Sequence, residues 1–261
     1  MTYKNKIKPP FFTPELSDED YLWRYFDLKG FLYLITMKSI YFSRVDKFED
    51  ANEGVDLRLL MEKKMRKEKY GNRFLEVGKL IMSDSANNDN QELNQRKYFV
   101  SCWHQNAHES PLMWSIYSNP EGIAVRIKYK DMKRLFSNAY INWTNPEDFH
   151  LSVEKIRYIN VHELIHLPDE EIQRLNKVCL FKEIGYKYEH EVRIVAKSHE
   201  ELFYNGQEIT SIDILLKDTR FECLTGVFHP KSSQWFQRTI REIAQRLGVF
   251  LELRRSSLEF R

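Results

Sequence analysis

The chain has 261 residues, of which 42% are hydrophobic and 14% are aromatic, so it can bury a substantial core and lacks the composition of a disordered protein. Forty basic and 38 acidic side chains leave a formal net charge of +2, which excludes attraction of nucleic acid by the surface as a whole. Three widely spaced cysteines argue against a disulfide scaffold. We therefore expect a cytoplasmic protein in a reducing compartment.

The predicted elements begin with an aromatic strand over Tyr21–Phe26, a helix over Leu28–Met37 with apolar residues at helical spacing, and a strand over Ser39–Ser43. The later predicted strands are Tyr98–Trp103, Gly122–Tyr129, Val153–Ile159, Glu191–Ala196, Ser211–Leu216, Cys223–Phe228 and Val249–Leu253. The later predicted helices are Pro111–Tyr117, Leu167–Phe181 and Ser233–Leu247.

A long segment rich in Leu, Met, Lys and Glu predicts a helical insertion at about residues 55–82, and the polar run that follows predicts a mobile loop at about residues 83–95. Strands and helices alternate irregularly, without a βαβ rhythm or a glycine-rich dinucleotide fingerprint. This pattern predicts one α+β domain over residues 1–261, with mixed or antiparallel sheets flanked by helices. No apolar run approaches the roughly 20 residues of a membrane span, so we expect no membrane partner.

His162 and His166 belong to an H-E-x-x-H sequence, which on a helix places two imidazoles one turn apart and predicts a zinc hydrolase. Glu189 or Glu191 would then be the third ligand. However, the motif follows a strand-like run and precedes a new helix start at Pro168. That context favours a polar connector, so we expect no metal, and zinc hydrolysis is kept as an alternative.

Two basic segments, residues 63–73 and 238–255, are typical of solvated helix faces, and they leave open a non-catalytic module that binds nucleic acid or a protein.

A second set of residues is dispersed over three predicted strands. Arg24 interrupts an aromatic strand, Ser101 follows Tyr98–Val100 near the end of another, and Glu189 and Glu191 form an E-x-E at the entry to an apolar strand. Two carboxylates on one face of a buried sheet are costly unless they are solvated or functional. The order of these residues resembles the R-S-E arrangement of ADP-ribosyltransferases.

The chain as a whole resembles the DUF2971 family of bacterial proteins, a family named for its unknown function. The matching blocks are Trp23–Tyr25, Ser39–Ser43, Phe48–Glu53, Val100–Trp103, Pro111–Tyr117 with Gly122–Ile123, Lys182 with Tyr188–Arg193, and Thr225–Phe228. Glu-Asp-Ala at residues 49–51 departs from the family's Asn-Asp-Pro. The family itself implies no established activity, and the link to ADP-ribosyltransferases is an analogy of structure.

The ADP-ribosyltransferase resemblance implies an enzyme that cleaves NAD as its substrate, as a transferase or NAD glycohydrolase, in a bacterial defence or toxin system and with an unknown acceptor. Glu191 would hold the ribose 2′-hydroxyl and Glu189 would orient or deprotonate the acceptor. Arg24 would pair with a phosphate or the adenine-side ribose. Ser101 would hydrogen-bond to the nicotinamide ribose and brace Glu191, and Trp114 or Tyr117 would stack on the nicotinamide.

Each of these residues also has a structural interpretation. Glu191 and Arg193 are two apart on a predicted strand and could form an ion pair on the sheet surface. Arg24 could pair with Glu49, Asp50 or Glu53. Trp114 and Tyr117 have the apolar periodicity of core residues. If the enzymatic interpretation holds, Glu191→Gln removes nicotinamide release and leaves stability almost unchanged.

Overall fold

A computed structural model describes residues 5–50, 52–57, 60–61, 95–141, 148–164, 166–168, 170–172, 179–216 and 221–259. The strands are β1 Asn5–Lys6, β2 Phe11–Phe12, β3 Tyr21–Phe26, β4 Ser39–Arg44, β5 Tyr98–Gln105, β6 Ile123–Lys128, β7 Ala139–Ile141, β8 Phe149–Lys155, β9 Arg157–Ile159, β10 Phe181–Glu183, β11 Glu191–Ser198, β12 Phe203–Tyr204, β13 Gln207–Glu208, β14 Ser211–Leu216, β15 Thr225–Phe228 and β16 Glu252–Arg254. The helices are α1 Leu28–Met37, α2 Pro111–Tyr117, α3 Tyr129–Phe136, α4 Val161–Leu164 and α5 Gln234–Arg246, with 3₁₀ turns at Val45–Lys47 and Ile184–Glu189. The predicted α+β class is confirmed.

The boundaries of α1 follow from local chemistry. Asp27 precedes the helix in an extended conformation, and its side chain accepts a hydrogen bond from the Gly30 amide at 2.7 Å, which satisfies one of the unpaired amides of the first turn. Phe31 and Ile35 are buried one turn apart on the face that packs on the sheet. Lys38 adopts a left-handed conformation with φ of 53° and ends the helix, so that β4 can start at the next residue.

Twelve of the described strands form one mixed sheet that branches at β5. Strand β11 pairs with β5 from Glu191 opposite His104 to Lys197 opposite Tyr98, and β8 and β2 extend the sheet beyond it. The other edge of β5 is shared by two arms. One arm is β4, β14, β7 and β1, and the other is β3, β6, β15 and β16.

Alternation along the strands separates the two faces of the sheet. One face, which we call the core face, carries Leu22, Phe42 and Phe99 and is covered by the buried sides of α1, α3 and α5. The opposite face, the cleft face, carries smaller clusters. Trp23 packs there with Trp114 of α2, while Val100 belongs to a separate cluster. A cavity lined by residues of both clusters lies between them on the cleft face.

Several element predictions match the described structure, and a few are wrong. The predicted bounds of α1, α2, β3 and β14 are confirmed to the residue. The strand predicted at Val153–Ile159 is two strands, because Ile156 leaves the sheet and its amide bonds to the Glu191 carbonyl. Phe181, predicted as the end of a helix, begins β10, which pairs in parallel with β9. Helix α3 was not predicted.

The predicted helical insertion at 55–82 and the predicted loop at 83–95 lie mostly outside the described residues. Within the described parts of the chain, no helix is both long and apolar enough to cross a membrane.

Candidate functional site

The two arms of the sheet separate along one edge of β5. Strand β3 pairs with β5 only through Leu22 and Trp23, and β4 pairs with it only through Ser43 and Arg44. In the register of the described strands, the stretch from Ser101 to Trp103 therefore has no partner strand on that edge. Backbone groups at such a split lack the inter-strand hydrogen bonds that they would have in the middle of a continuous sheet.

A cleft with a cavity volume of about 660 Å³ opens at this split, within the range of small-molecule sites. Its walls include Arg24 and Tyr41 from the two arms, and Tyr117, Glu189 and Glu191 from the cleft face. The structure thus brings four of the six candidate residues from the sequence to one cavity, together with Lys182 and Glu53.

One wall of the cleft is a buried network of three carboxylates and two cations. Lys182 Nζ lies 2.6 Å from Glu189, 3.1 Å from Glu191 and 3.2 Å from Glu53. Arg193 contacts Glu191 at 2.7 Å and Glu53 at 2.9 Å, and it donates to the Cys179 carbonyl at 2.8 Å. Three negative and two positive side chains give this wall a formal charge of −1.

The charges in the network hold one another in the ionised form. Burial opposes ionisation of Glu191, but the Arg193 guanidinium and the Lys182 ammonium outweigh it and lower the pKa of Glu191 to about 2. Burial likewise opposes the charge of Lys182, yet Glu191 and Glu53 raise its pKa above the ordinary lysine value. The pKa of Arg193 is also raised, because Glu191 and Glu53 outweigh its complete burial.

Glu189 differs from Glu191 in how its charge is compensated. It ends the 3₁₀ turn, and His190 then adopts a left-handed conformation with φ of 41°, which turns the chain into β11. One Glu189 oxygen accepts from the Tyr117 hydroxyl at 2.8 Å and the other contacts Lys182, which also serves two other carboxylates. Glu191 instead receives two hydrogen bonds from one guanidinium. Glu189 therefore carries the less compensated charge.

Arg24, on strand β3, lies at the split between the two arms of the sheet. Its guanidinium donates to Ser101 Oγ at 2.5 Å and to the Tyr41 carbonyl at 3.2 Å, and it lies 5.1 Å from the centre of the Phe26 ring. Among the described residues, no carboxylate forms an ion pair with Arg24, so the predicted alternative pairing with Glu49, Asp50 or Glu53 is not found there. Burial lowers the pKa of the guanidinium to about 10, and an anion bound beside it would stabilise its charged form.

Ser101 does not brace Glu191, contrary to the role suggested by the resemblance. In the ladder between β5 and β11, Glu191 lies opposite His104 and Ser101 lies opposite Ile194, so the two side chains point to opposite faces of the sheet. Ser101 is buried on the core face and accepts from Arg24 and from the Trp103 indole at 3.1 Å. Its role is to position Arg24.

Trp114 and Tyr117 have different surroundings although both belong to α2. Trp114 is 1% exposed, packs edge-to-face on Tyr25 at 4.9 Å, and donates its indole N–H to Glu109 at 3.1 Å. It is a core residue that does not line the cleft, so the described structure does not place Trp114 where it could stack on a ligand there. The Tyr117 ring is 47% exposed at the cleft mouth, and its hydroxyl pKa is raised by burial and by Glu189.

The site contains residues that the sequence did not single out. Glu53 lies in a turn and Lys182 lies in β10, far apart in the chain, and only the fold brings them together in the network. The sequence did indicate a contact of Arg193 with Glu191, because residues two apart on a strand lie on the same face. The predicted ion pair of Arg193 with Glu191 is present, although it is buried instead of lying on the sheet surface.

The alternative sites are less well formed in the described part of the chain. The H-E-x-x-H sequence starts in α4, which has four residues, and the His162 side chain lies outside the described residues. The suggested third ligands, Glu189 and Glu191, contact cations instead. No group of three or more described His, Cys, Asp or Glu side chains is arranged to hold a metal ion.

The basic segment 63–73 lies outside the described residues. Within 238–255, Arg254 pairs with Glu252 at 2.6 Å, and Arg241 donates to the Leu253 carbonyl at 2.8 Å. Arg238 and Arg246 are exposed on α5. Arg254 and Arg241 are therefore engaged within the protein, and the described contacts of this segment do not favour a nucleic acid as its partner.

Comparison of the chain with protein-family models, curated proteins and solved structures gives no match.

Proposed function

We propose that the cleft binds NAD⁺ and that the protein breaks the bond between nicotinamide and ribose, as an ADP-ribosyltransferase or an NAD glycohydrolase. The observation that carries the proposal is the opposition of charge in one cavity. Arg24 lines it without a carboxylate partner among the described residues, and a buried network with a formal charge of −1 lines it as well. NAD⁺ has the matching polarity, because its phosphates are anionic and its nicotinamide ring is cationic.

Arg24 is suited to the phosphates of this ligand. A guanidinium has five N–H donors, and the contacts to Ser101 and Tyr41 hold its plane while leaving donors for oxygen atoms of a ligand. Burial of the Arg24 guanidinium disfavours its charged form and lowers its pKa. The attraction between a phosphate and this guanidinium is therefore stronger in the cleft than it would be in water.

The carboxylates are suited to the reaction. When the bond between ribose C1′ and nicotinamide nitrogen breaks, its electron pair leaves with nicotinamide, which becomes neutral, and positive charge develops on the sugar. Glu189 is our candidate for stabilising this charge, because it is less compensated than Glu191. Water or another acceptor then forms the new bond to C1′ and releases a proton. The exposed Tyr117 ring at the mouth is a candidate to contact the departing nicotinamide.

Glu191 has a supporting role in this proposal. Two hydrogen bonds from Arg193 and one contact from Lys182 hold its carboxylate in place. Lys182 contacts both Glu191 and Glu189, so Glu191 helps to hold the ammonium group that contacts Glu189. This assigns the direct role to the first carboxylate of the E-x-E and the positioning role to the second.

The test is release of nicotinamide from NAD⁺ by the purified protein, measured by chromatography, with free ADP-ribose as the co-product when water is the acceptor. We expect Glu189→Gln to lower the rate roughly 100-fold, the size of effect typical for a catalytic carboxyl group. Arg24→Gln is expected to raise KM more than it lowers kcat, because its contact to phosphate is present throughout the reaction.

The matched controls are Glu121→Gln and Arg238→Gln, which make the same chemical changes at exposed positions outside the cleft. Both are expected to keep the wild-type rate. Absence of nicotinamide release from the wild-type protein, or an unchanged rate in Glu189→Gln, would reject the proposed reaction.

A further inference from the structure

A second cavity, with a volume of about 410 Å³, lies beside the cleft and is bounded by α1, β3 and β4. Its lining combines aromatic and aliphatic side chains with few charges. Tyr33 and Leu34 line it from α1, and Phe26 and Val125 line it from strands β3 and β6. A cavity of this size and composition is large enough for a nucleobase and too apolar to favour a strongly charged group.

The two cavities adjoin at the split in the sheet. Arg24, Tyr41 and Trp103 line both of them. Arg24 belongs to the core face by strand alternation, but its guanidinium reaches across the split to the Tyr41 carbonyl. A ligand that passes Arg24 can therefore occupy the cleft with one end and the second cavity with the other.

The chemistry of the second cavity differs from that of the cleft. Tyr33 and Tyr41 stand edge-to-face at 6.0 Å, so an entering planar ring meets aromatic side chains on the way in. The Tyr33 hydroxyl is committed to Asp213 at 2.6 Å. Lys29 lies at the rim, and Asp27 is occupied by the cap of α1. The positive edge formed by Arg24 and Lys29 disfavours a cationic ring and favours a neutral one attached to phosphate.

We propose that the second cavity binds the adenosine half of the dinucleotide, with Arg24 holding the phosphates at the split and the nicotinamide half in the cleft. This assignment rests on the proposed function for the identity of the ligand. It adds a subsite formed by Tyr33 and Tyr41, and it places the two bases on opposite sides of the sheet edge.

The test uses the two halves of the ligand separately, AMP and nicotinamide mononucleotide, titrated calorimetrically into the full chain. Tyr33→Leu is expected to weaken AMP binding roughly tenfold, the effect of losing an aromatic contact to a base. It should change the affinity for nicotinamide mononucleotide less than about twofold, because Tyr33 lines only the second cavity. Glu189→Gln should show the reverse pattern, and Arg24→Gln should weaken both ligands since both carry phosphate.

Tyr41→Leu is the second variant, and it guards against a local rearrangement caused by the lost contact of Tyr33 with Asp213. The Tyr41 side chain is 41% exposed and the contact of this residue with Arg24 uses its backbone carbonyl, so folding should be retained. AMP binding should fall in this variant too. Tyr204→Leu, at an exposed tyrosine away from both cavities, is the matched control and should bind AMP as the wild type does.

The results separate the subsite from the reaction. AMP binding that depends on Tyr33 and Tyr41 supports the subsite even if no nicotinamide is released from NAD⁺, in which case only the proposed reaction fails. Nicotinamide release combined with AMP affinity that is unchanged in Tyr33→Leu and Tyr41→Leu overturns the subsite and leaves the reaction standing. Absence of AMP binding to the wild type also overturns the subsite.

Discussion

Replacing Arg193 with methionine is expected to destabilise the protein by about 3–5 kcal/mol, the range for removing one partner from a buried charge network. The Arg193 side chain is fully buried and contacts Glu191, Glu53 and the Cys179 carbonyl. Without it, Lys182 alone faces three carboxylates. Methionine has a similar length but no donor, so two buried carboxylates lose their hydrogen bonds and repel each other.

Urea unfolding followed by tryptophan fluorescence measures this loss as a lower midpoint. The matched control is Arg254→Met, which removes a guanidinium from an exposed pair with Glu252 at 2.6 Å. That change is expected to cost less than about 1 kcal/mol, because water and salt screen the pair. Equal effects of the two substitutions would show that the network contributes no more than a surface ion pair.

The elements that the sequence predicted well are those whose signal is local. Helix α1 was predicted from apolar residues at helical spacing, and its predicted bounds agree with the structure, where Asp27 caps it and Lys38 ends it. Strand β14 is bounded by a change of composition on each side. Helix α3 was missed although Tyr129, Met132 and Phe136 have helical spacing, because the strong alternation of β6 ran directly into it.

The candidate site depended on information that no local pattern contains. Alternation along a strand is visible in sequence, but which residue lies opposite which depends on register. The register of β5 and β11 places Ser101 and Glu191 on opposite faces, and a shift by one residue would have placed them on the same face. The split between β3 and β4, where Arg24 gains its exposure to both cavities, follows from two short pairings far apart in the chain.

The network also changes how the second carboxylate of the E-x-E has to be tested. From sequence, Glu191→Gln was expected to affect catalysis with little effect on stability. In the structure Glu191 is 4% exposed and bonded to Arg193, so the amide would leave a buried guanidinium with weakened compensation. A loss of activity in this variant would therefore combine a loss of folding stability with the loss of the Glu191 carboxylate from the site. Glu189→Gln, with a tyrosine hydroxyl and a shared ammonium as partners, is the cleaner substitution.

Stability is expected to fall on acidification, and Glu191 should account for a measurable part of the loss. Its pKa is lowered to about 2 in the folded protein, against an ordinary value of 4.5 that applies in the unfolded chain. A depressed pKa contributes stability that is complete above the unfolded value and disappears as pH falls towards the folded value. Between about pH 6 and pH 3 the contribution of Glu191 should fall by about 2 kcal/mol. The lowered pKa of Asp46, which is paired with Arg44, acts in the same direction.

Urea unfolding of the wild type and of Glu191→Gln at a series of pH values isolates this contribution. The variant should be the less stable protein at neutral pH, and the difference between the two free energies of unfolding should shrink as the pH is lowered, because only the wild type loses an ionised Glu191. Glu121→Gln, at an exposed position, should keep the wild-type pH dependence. Parallel curves for the wild type and Glu191→Gln would contradict the depressed pKa, and with it the view that Arg193 and Lys182 hold this carboxylate ionised beside the cleft.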